Sequence, residues 1–177
     1  DRFVFKDELD LMEEKVKNAH KMLNEKTGLG RDMLGWMELP SKRDEEEIEK
    51  IKKAAGKIQK QCDVFVVVGI GGSYLGAKAM IDIFTNNFSN LLPLSERKFP
   101  QIIFAGNNMS GKYLRNLIEY LEDKDVAINV ISKSGKTLEP AITFRVLKIL
   151  LEEKYGIAGA AERIYVTTDK NKGVLHD

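Results

Sequence analysis

Apolar positions recur at spacings of three and four up to about residue 62, and as strand-length runs after it. Leu9, Met12, Val16, Ala19 and Leu23 fall on one face of a predicted helix, which Gly28 and Gly30 are expected to end. A second helix is expected after a loop. Ser41 followed three residues on by Asp44 is a capping-box-like start, and Ile48, Ile51, Ala55 and Ile58 then form one apolar stripe among Glu and Lys. Beyond residue 62 the runs Val64–Val68, Ile102–Ala105, Val126–Ile131 and Ile164–Val166 are short and rich in Val, Ile and Phe. Amphipathic segments separate them, as in Leu114, Leu117, Ile118 and Leu121. This alternation predicts an α/β domain over residues 62–177, with a parallel sheet covered on both faces, preceded by a helical extension over residues 1–61. Right-handed crossovers leave few strand orders, and ligands of such sheets sit at the carboxyl ends of the strands where the order reverses.

The chain of 177 residues is 43% hydrophobic and 31% charged, enough for one good core. Its net charge of +1 supplies no long-range field for nucleic acid or an anionic membrane, so neither is expected as a partner, and any anion must be held locally. Cys62 is the only cysteine, which excludes an internal disulfide and a zinc site of several thiolates, and no metal or cofactor is expected. The apolar runs are too short to cross a bilayer and nothing resembles a signal peptide, so the expectation is a cytoplasmic protein.

Two loops carry candidate chemistry. The first strand runs into Gly69-Ile70-Gly71-Gly72-Ser73-Tyr74-Leu75-Gly76, with a helix expected from about Ala77. Glycines let the backbone approach a ligand, and the free amides of a helix N-terminus attract an anion. A dinucleotide fingerprint counted from Gly69 would need glycine where Tyr74 stands, and a P-loop counted from Gly71 would need lysine where Ala77 stands. Tight helix–strand packing is the alternative use of these glycines. The third strand ends in Ser132-Lys133-Ser134-Gly135-Lys136-Thr137, followed by Leu138-Glu139-Pro140 and a long apolar helix. Pro140 suits a first helical turn, so three hydroxyls and two ammonium groups gather at a helix N-terminus. A phosphate monoester, with about −1.5 to −2 charges and three acceptor oxygens, matches that set. The plainer reading is an N-cap with solvated lysines, although a cap needs only one hydroxyl. In a sheet of order 2-1-3-4 the two loops would face each other across one crevice, whereas in the order 3-2-1-4 a strand would separate them; the hydroxyl-rich loop after the third strand favours 2-1-3-4, the order expected here.

Together these loops resemble the sugar isomerase (SIS) fold of the bacterial glucose-6-phosphate isomerases. Gly35-Trp36 with Leu39-Pro40, Gly106-Asn107-Asn108 after the second strand and Thr167-Thr168-Asp169 after the fourth resemble that family in the same order. The resemblance implies a flavodoxin-like three-layer αβα domain with five parallel strands, in which Ser132, Ser134 and Thr137 bind the substrate phosphate through hydroxyls and amides. It also places Lys133 nearby and puts Gly71, Gly72 and Ser73 in the same pocket. The implied activity is an aldose–ketose isomerisation of glucose 6-phosphate and fructose 6-phosphate, in glycolysis and gluconeogenesis, by a homodimeric protein with a hexose 6-phosphate as its small-molecule substrate. Lys136 and Leu138 depart from the family, which commonly has threonine at both places. The family's acid–base residues, an arginine, a glutamate, a histidine and a lysine, fall beyond Asp177, and the fifth strand is expected to be missing too. The 177 residues are therefore expected to be the N-terminal portion of the family's protein, inactive alone and supplying the phosphate-binding half of the site. Glu139 is expected at most to support catalysis by orienting a lysine outside this span. The alternative is a non-catalytic sugar-phosphate-sensing module, since related SIS domains regulate transcription or kinases.

Other residues invite roles that their surroundings do not support. His20 lies beside the first apolar stripe and is expected to be a partly buried structural residue, and Trp36 to be core. His176 is near a chain end, Asp169 has no paired carboxylate, and Glu45 to Glu47 read as a solvated helix start.

Overall fold

The computed structural model describes residues 3–171 and 173–176. The chain divides into two compact units, Asp1–Glu49 and Lys50–Asp177. The boundary falls within a helix, which gives its first turns to one unit and the remainder to the other.

In the first unit, helix α1 spans Lys6–Glu25 and opens with the Glu8 carboxylate accepting the Phe5 N–H at 2.9 Å. It ends on Lys26, whose positive φ of 55° provides the left-handed turn expected of a glycine; Gly28 and Gly30 come after the helix is already closed. Its apolar stripe is exposed, with Leu9 at 61% and Val16 at 60%, and no residue of α1 is buried. His20 is exposed, not partly buried, and Trp36, 60% exposed in a 3-10 segment over Arg31–Met37, is not core. Both expectations assumed a surface that this unit does not build. The Glu38 carboxylate pairs with Lys26 and Lys42 and is held down to about 2 by those hydrogen bonds. Helix α2 spans Glu45–Gln61 and is capped by Asp44, whose carboxylate accepts the Glu47 N–H at 3.0 Å. Ser41 instead donates to the Glu38 carbonyl, so the cap sits three residues later than the sequence suggested.

The second unit is an α/β sheet. Strands β1 (Val64–Val68), β2 (Gln101–Ala105), β3 (Val126–Ile131) and β4 (Ile164–Thr167) pair in parallel in the order β2-β1-β3-β4. Between them run α3 (Gly72–Phe84), α4 (Gly111–Leu121) and α5 (Leu138–Ala161), the last interrupted by a non-helical Gly156. Helix α3 therefore begins at Gly72 rather than near Ala77.

The core lies where α4 and α5 meet the sheet. Val64, Val66 and Val68 on β1 and Ile128 on β3 join Leu117 and Leu121 of α4 and Leu147 and Leu151 of α5 in one buried cluster. Burying each such side chain contributes about 1.5–3 kcal/mol before chain entropy is subtracted. On the alternate register Phe65 meets Tyr165 edge to face at 6.3 Å. The Tyr165 hydroxyl donates to the Gln61 side chain, whose amide donates to the Glu162 carbonyl, tying the last turn of α2 to β4. Among the described residues no helix is long and apolar enough to cross a membrane.

Candidate functional site

Register brings the two loops together. Val68 pairs with Val130 on β3, so β1 and β3 end side by side at the reversal of the strand order, and the loops that follow them are neighbours. Gly69 stands at this junction, where a side chain would crowd its own turn more than the neighbouring loop. A β-carbon on Gly69 would lie 3.4 Å from the Ile131 carbonyl oxygen and 3.1 Å from the Ser73 β-carbon. Gly71, with φ of 55°, turns the chain into α3 and accepts the Tyr74 and Leu75 N–H groups on its carbonyl. Gly72 opens the helix and Ser73 follows half-buried, so the first loop contributes chiefly backbone to the crevice.

The second loop is shaped by its own serines. Ser132 is 6% exposed, and its hydroxyl oxygen accepts the Gly135 N–H at 3.0 Å. Its amide donates to the Thr167 carbonyl and its carbonyl accepts from the Thr168 hydroxyl, so it also ties β3 to the end of β4. Ser134 is exposed, and its oxygen accepts the Lys136 N–H at 3.2 Å. The amides of Ser132, Gly135 and Lys136 are thus engaged within the fold. The two serine hydroxyls accept in these bonds and keep their protons for donation.

Thr137 is the N-cap residue of α5 and its exposed side chain makes no capping bond. The Leu138 and Glu139 N–H groups open the helix with no intrahelical carbonyl available, and Pro140 has no N–H to leave unpaired. Lys133 and Lys136 are exposed on the same loop. Hydroxyl protons, free first-turn amides and two ammonium groups therefore surround the start of α5, an arrangement suited to an oxyanion. Glu139 is half-buried in the first turn.

Some site residues were not legible in the sequence. A cavity of about 170 Å³ beside the loop is lined by Ser132, Thr137, Arg145, Val174 and Leu175 among others. Arg145 has helical spacing from Ala141, which alone signals that both share a face of α5. Nothing in the pattern signalled that Val174 and Leu175 return to the loop, where a β-carbon on Gly135 would meet Val174 at 3.0 Å. Asp169 accepts the Asn171 N–H in its own turn, and Asn108 accepts the Ser110 N–H ahead of α4, so both side chains shape their loops. Among the described residues no group of three or more His, Cys, Asp or Glu side chains could hold a metal ion.

No family model matches the chain. It is 55% identical over 174 residues to the glucose-6-phosphate isomerase of Exiguobacterium sibiricum, covering 98% of this chain and 39% of that protein. It is 53% identical over 175 residues to the glucose-6-phosphate isomerase of Streptococcus pneumoniae serotype 19F, covering 99% of this chain and 39% of that one. The chain thus spans about 39% of the length of these curated relatives. Among solved structures, a hypothetical protein from Thermus thermophilus aligns with a TM-score of 0.74 and 27% identity, over 97% of this chain and 38% of that one. A glucose-6-phosphate isomerase from Chlamydia trachomatis aligns with a TM-score of 0.55 and 25% identity, over 75% of this chain and 24% of that one.

Proposed function

We propose that this chain forms the sugar-phosphate-binding part of a glucose-6-phosphate isomerase, which interconverts glucose 6-phosphate and fructose 6-phosphate in the central pathways of sugar breakdown and synthesis. The observation that carries this reading is the adjacency of the loops after β1 and β3, with the start of α5 carrying hydroxyls, amides and ammonium groups at that crevice. The identity of 53–55% to proteins of that name along nearly the whole chain supports it.

In this reading Ser134 and Thr137 donate hydroxyl protons to the phosphate oxygens, the first amides of α5 add two donors, and Lys133 balances the remaining charge. Ser132 donates its proton from beneath while holding the loop in shape. Gly71, Gly72 and Ser73 form the opposite wall. Holding the phosphate fixes the sugar, so that its C1 and C2 meet groups that move a proton between them, and binding energy from the remote phosphate lowers the barrier at the reacting carbons. Those acid–base groups belong to residues outside this span, and the whole protein works as a dimer in the cytoplasm. Glu139, at the mouth of the loop, orients a cation from the remainder.

The test is a titration of the 177-residue chain with glucose 6-phosphate, followed by backbone amide shifts. Shifts should centre on residues 132–139 and 71–73. The Ser134→Ala, Thr137→Ala double variant should bind at least tenfold more weakly, since each hydrogen bond to a charged group is worth about 1.5–3 kcal/mol. A coupled assay should find no turnover by this chain alone and turnover by the full-length protein. Shifts that leave the 132–139 loop untouched would remove the site assignment, and turnover by the chain itself would remove the division of labour.

A further inference from the structure

A second cavity of this unit lies away from the two loops, between the end of α3 and the segment that leads into β2. It has a volume of about 760 Å³, within the range of small-molecule sites. Its lining combines apolar side chains, Phe84, Leu92 and Phe99, with polar ones, Asn87, Ser89 and Lys98. Arg97 also lines it.

Arg97 makes this cavity chemically specific. Its side chain is partly buried, its Nε and Nη1 atoms are shielded from water, and neither has a hydrogen-bond partner. Among the described residues no carboxylate lies in ion-pair range of it. Buried guanidinium groups are otherwise paired, because removing the charge from water is unfavourable unless an anion or a set of acceptors replaces the water. The nearby charges do not neutralise it: Lys78 and Asp82 pair with each other at 2.5 Å, and of the other charged lining residues Arg97 and Lys98 outnumber Glu96, leaving the cavity wall with one excess positive charge. The wall thus combines an uncompensated guanidinium with exposed aromatic surface, Phe84 being 77% and Phe99 53% exposed.

We propose that this cavity is a second ligand site, distinct from the phosphate loop, which takes a small organic oxyanion: a phosphate or carboxylate group paired with Arg97 and Lys98, its apolar body laid against Phe84 and Phe99. Both requirements follow from the wall, since an inorganic ion would leave the aromatic surface wet and a neutral ring would leave Arg97 unpaired. The inference stands on the cavity alone and does not depend on the sugar-phosphate reading of the other site.

The probe is phenyl phosphate, with inorganic phosphate and phenol as its two halves, each titrated into the 177-residue chain and followed by amide shifts. Phenyl phosphate should shift residues 84–99 and bind at least tenfold more tightly there than either half. Benzoate in the same titration separates phosphate from carboxylate preference. Arg97→Gln should reduce the phenyl phosphate affinity at least tenfold, while Ser134→Ala with Thr137→Ala should leave it unchanged. Lys98→Gln, on an exposed side chain, gives a second variant if Arg97→Gln fails to fold, with a loss of about threefold or more expected. Shifts confined to residues 132–139, equal affinity for phenol and phenyl phosphate, or binding unchanged in the variants would each overturn the proposal. So would a doubled mass in light scattering with the cavity residues broadened, because the cavity would then be an interface between copies.

Discussion

Gly106, at the end of β2, lies against Pro140 in the first turn of α5: a β-carbon on Gly106 would come within 3.2 Å of the proline Cα and 2.9 Å of the Val68 Cγ1. The glycine also has φ of 79°, so an L side chain would be strained there even with room to spare. The ends of β1 and β2 and the start of α5 thus meet at a residue without a side chain. The start of α5 cannot be moved relative to β1 without moving Gly106.

Gly106→Ala should therefore destabilise the second unit by about 1–3 kcal/mol, through the left-handed backbone and the clash together. Chemical denaturation measures the loss. If the proposed site binds glucose 6-phosphate, the change should also weaken that binding, because Pro140 and the first amides of α5 move with the displaced backbone. Ordinary stability with unchanged amide positions at 138–141 would mean that the contact relaxes without consequence.

Lys154 offers a second test, this time of how α5 holds its neighbour. Its ammonium group donates to the carbonyls of Leu121, Glu122 and Lys124 at 2.9, 2.8 and 2.6 Å, closing the C-terminus of α4 where backbone acceptors have no helical partner. Lys154→Met keeps the aliphatic stem and removes all three bonds. A loss of about 2 kcal/mol is expected, given that hydrogen bonds to charged groups contribute about 1.5–3 kcal/mol each when well shielded and these are only partly so. Hydrogen exchange should localise the effect to residues 117–126.

Thr143 points the other way. It is 1% exposed on α5 and its hydroxyl has no hydrogen-bond partner. Thr143→Val replaces the unpaired hydroxyl by a methyl group in a side chain of nearly the same shape, and should stabilise the fold by about 1 kcal/mol. Thermal unfolding of the two proteins at matched pH provides the comparison, and a lower midpoint in the valine variant would show that the hydroxyl is satisfied in solution.

Cys62 lies at the entry to β1, 7% exposed, and burial pushes its thiol up to about 11 against a partly opposing backbone hydrogen bond from Ala127. The sign follows from the neutral form being favoured by folding. The contribution to stability is complete below the ordinary thiol value of 9.0 and is lost as pH rises from there through about 11. Iodoacetamide should label the folded chain very slowly at pH 8 and rapidly once it is unfolded. Fast labelling of the native protein at that pH would contradict the burial.

Periodicity located the second unit's strands, though it started α3 too late, near Ala77 instead of Gly72. The Val64–Val68 run is apolar on both faces and Val126–Ile131 nearly so, Asn129 excepted, as suits strands inside a covered parallel sheet, and the hydroxyl-rich segment followed by Pro140 marked a helix start. These are local signals, written within a few residues by side-chain type and backbone preference. The same signals misjudged the first unit: an apolar stripe shows that a helix has a face to cover, but not what covers it, and α1, His20 and Trp36 are exposed. Capping was also decided by geometry: the sequence pointed to Ser41 with Asp44 as its partner, and the chain path made Asp44 the cap. The crevice itself belongs to tertiary structure. Register between β1 and β3, the approach of Gly106 to Pro140 and the return of Val174 to Gly135 join residues more than thirty positions apart. Such proximities arise from packing the whole sheet, because no residue's own conformational preference extends beyond its nearest neighbours in the chain.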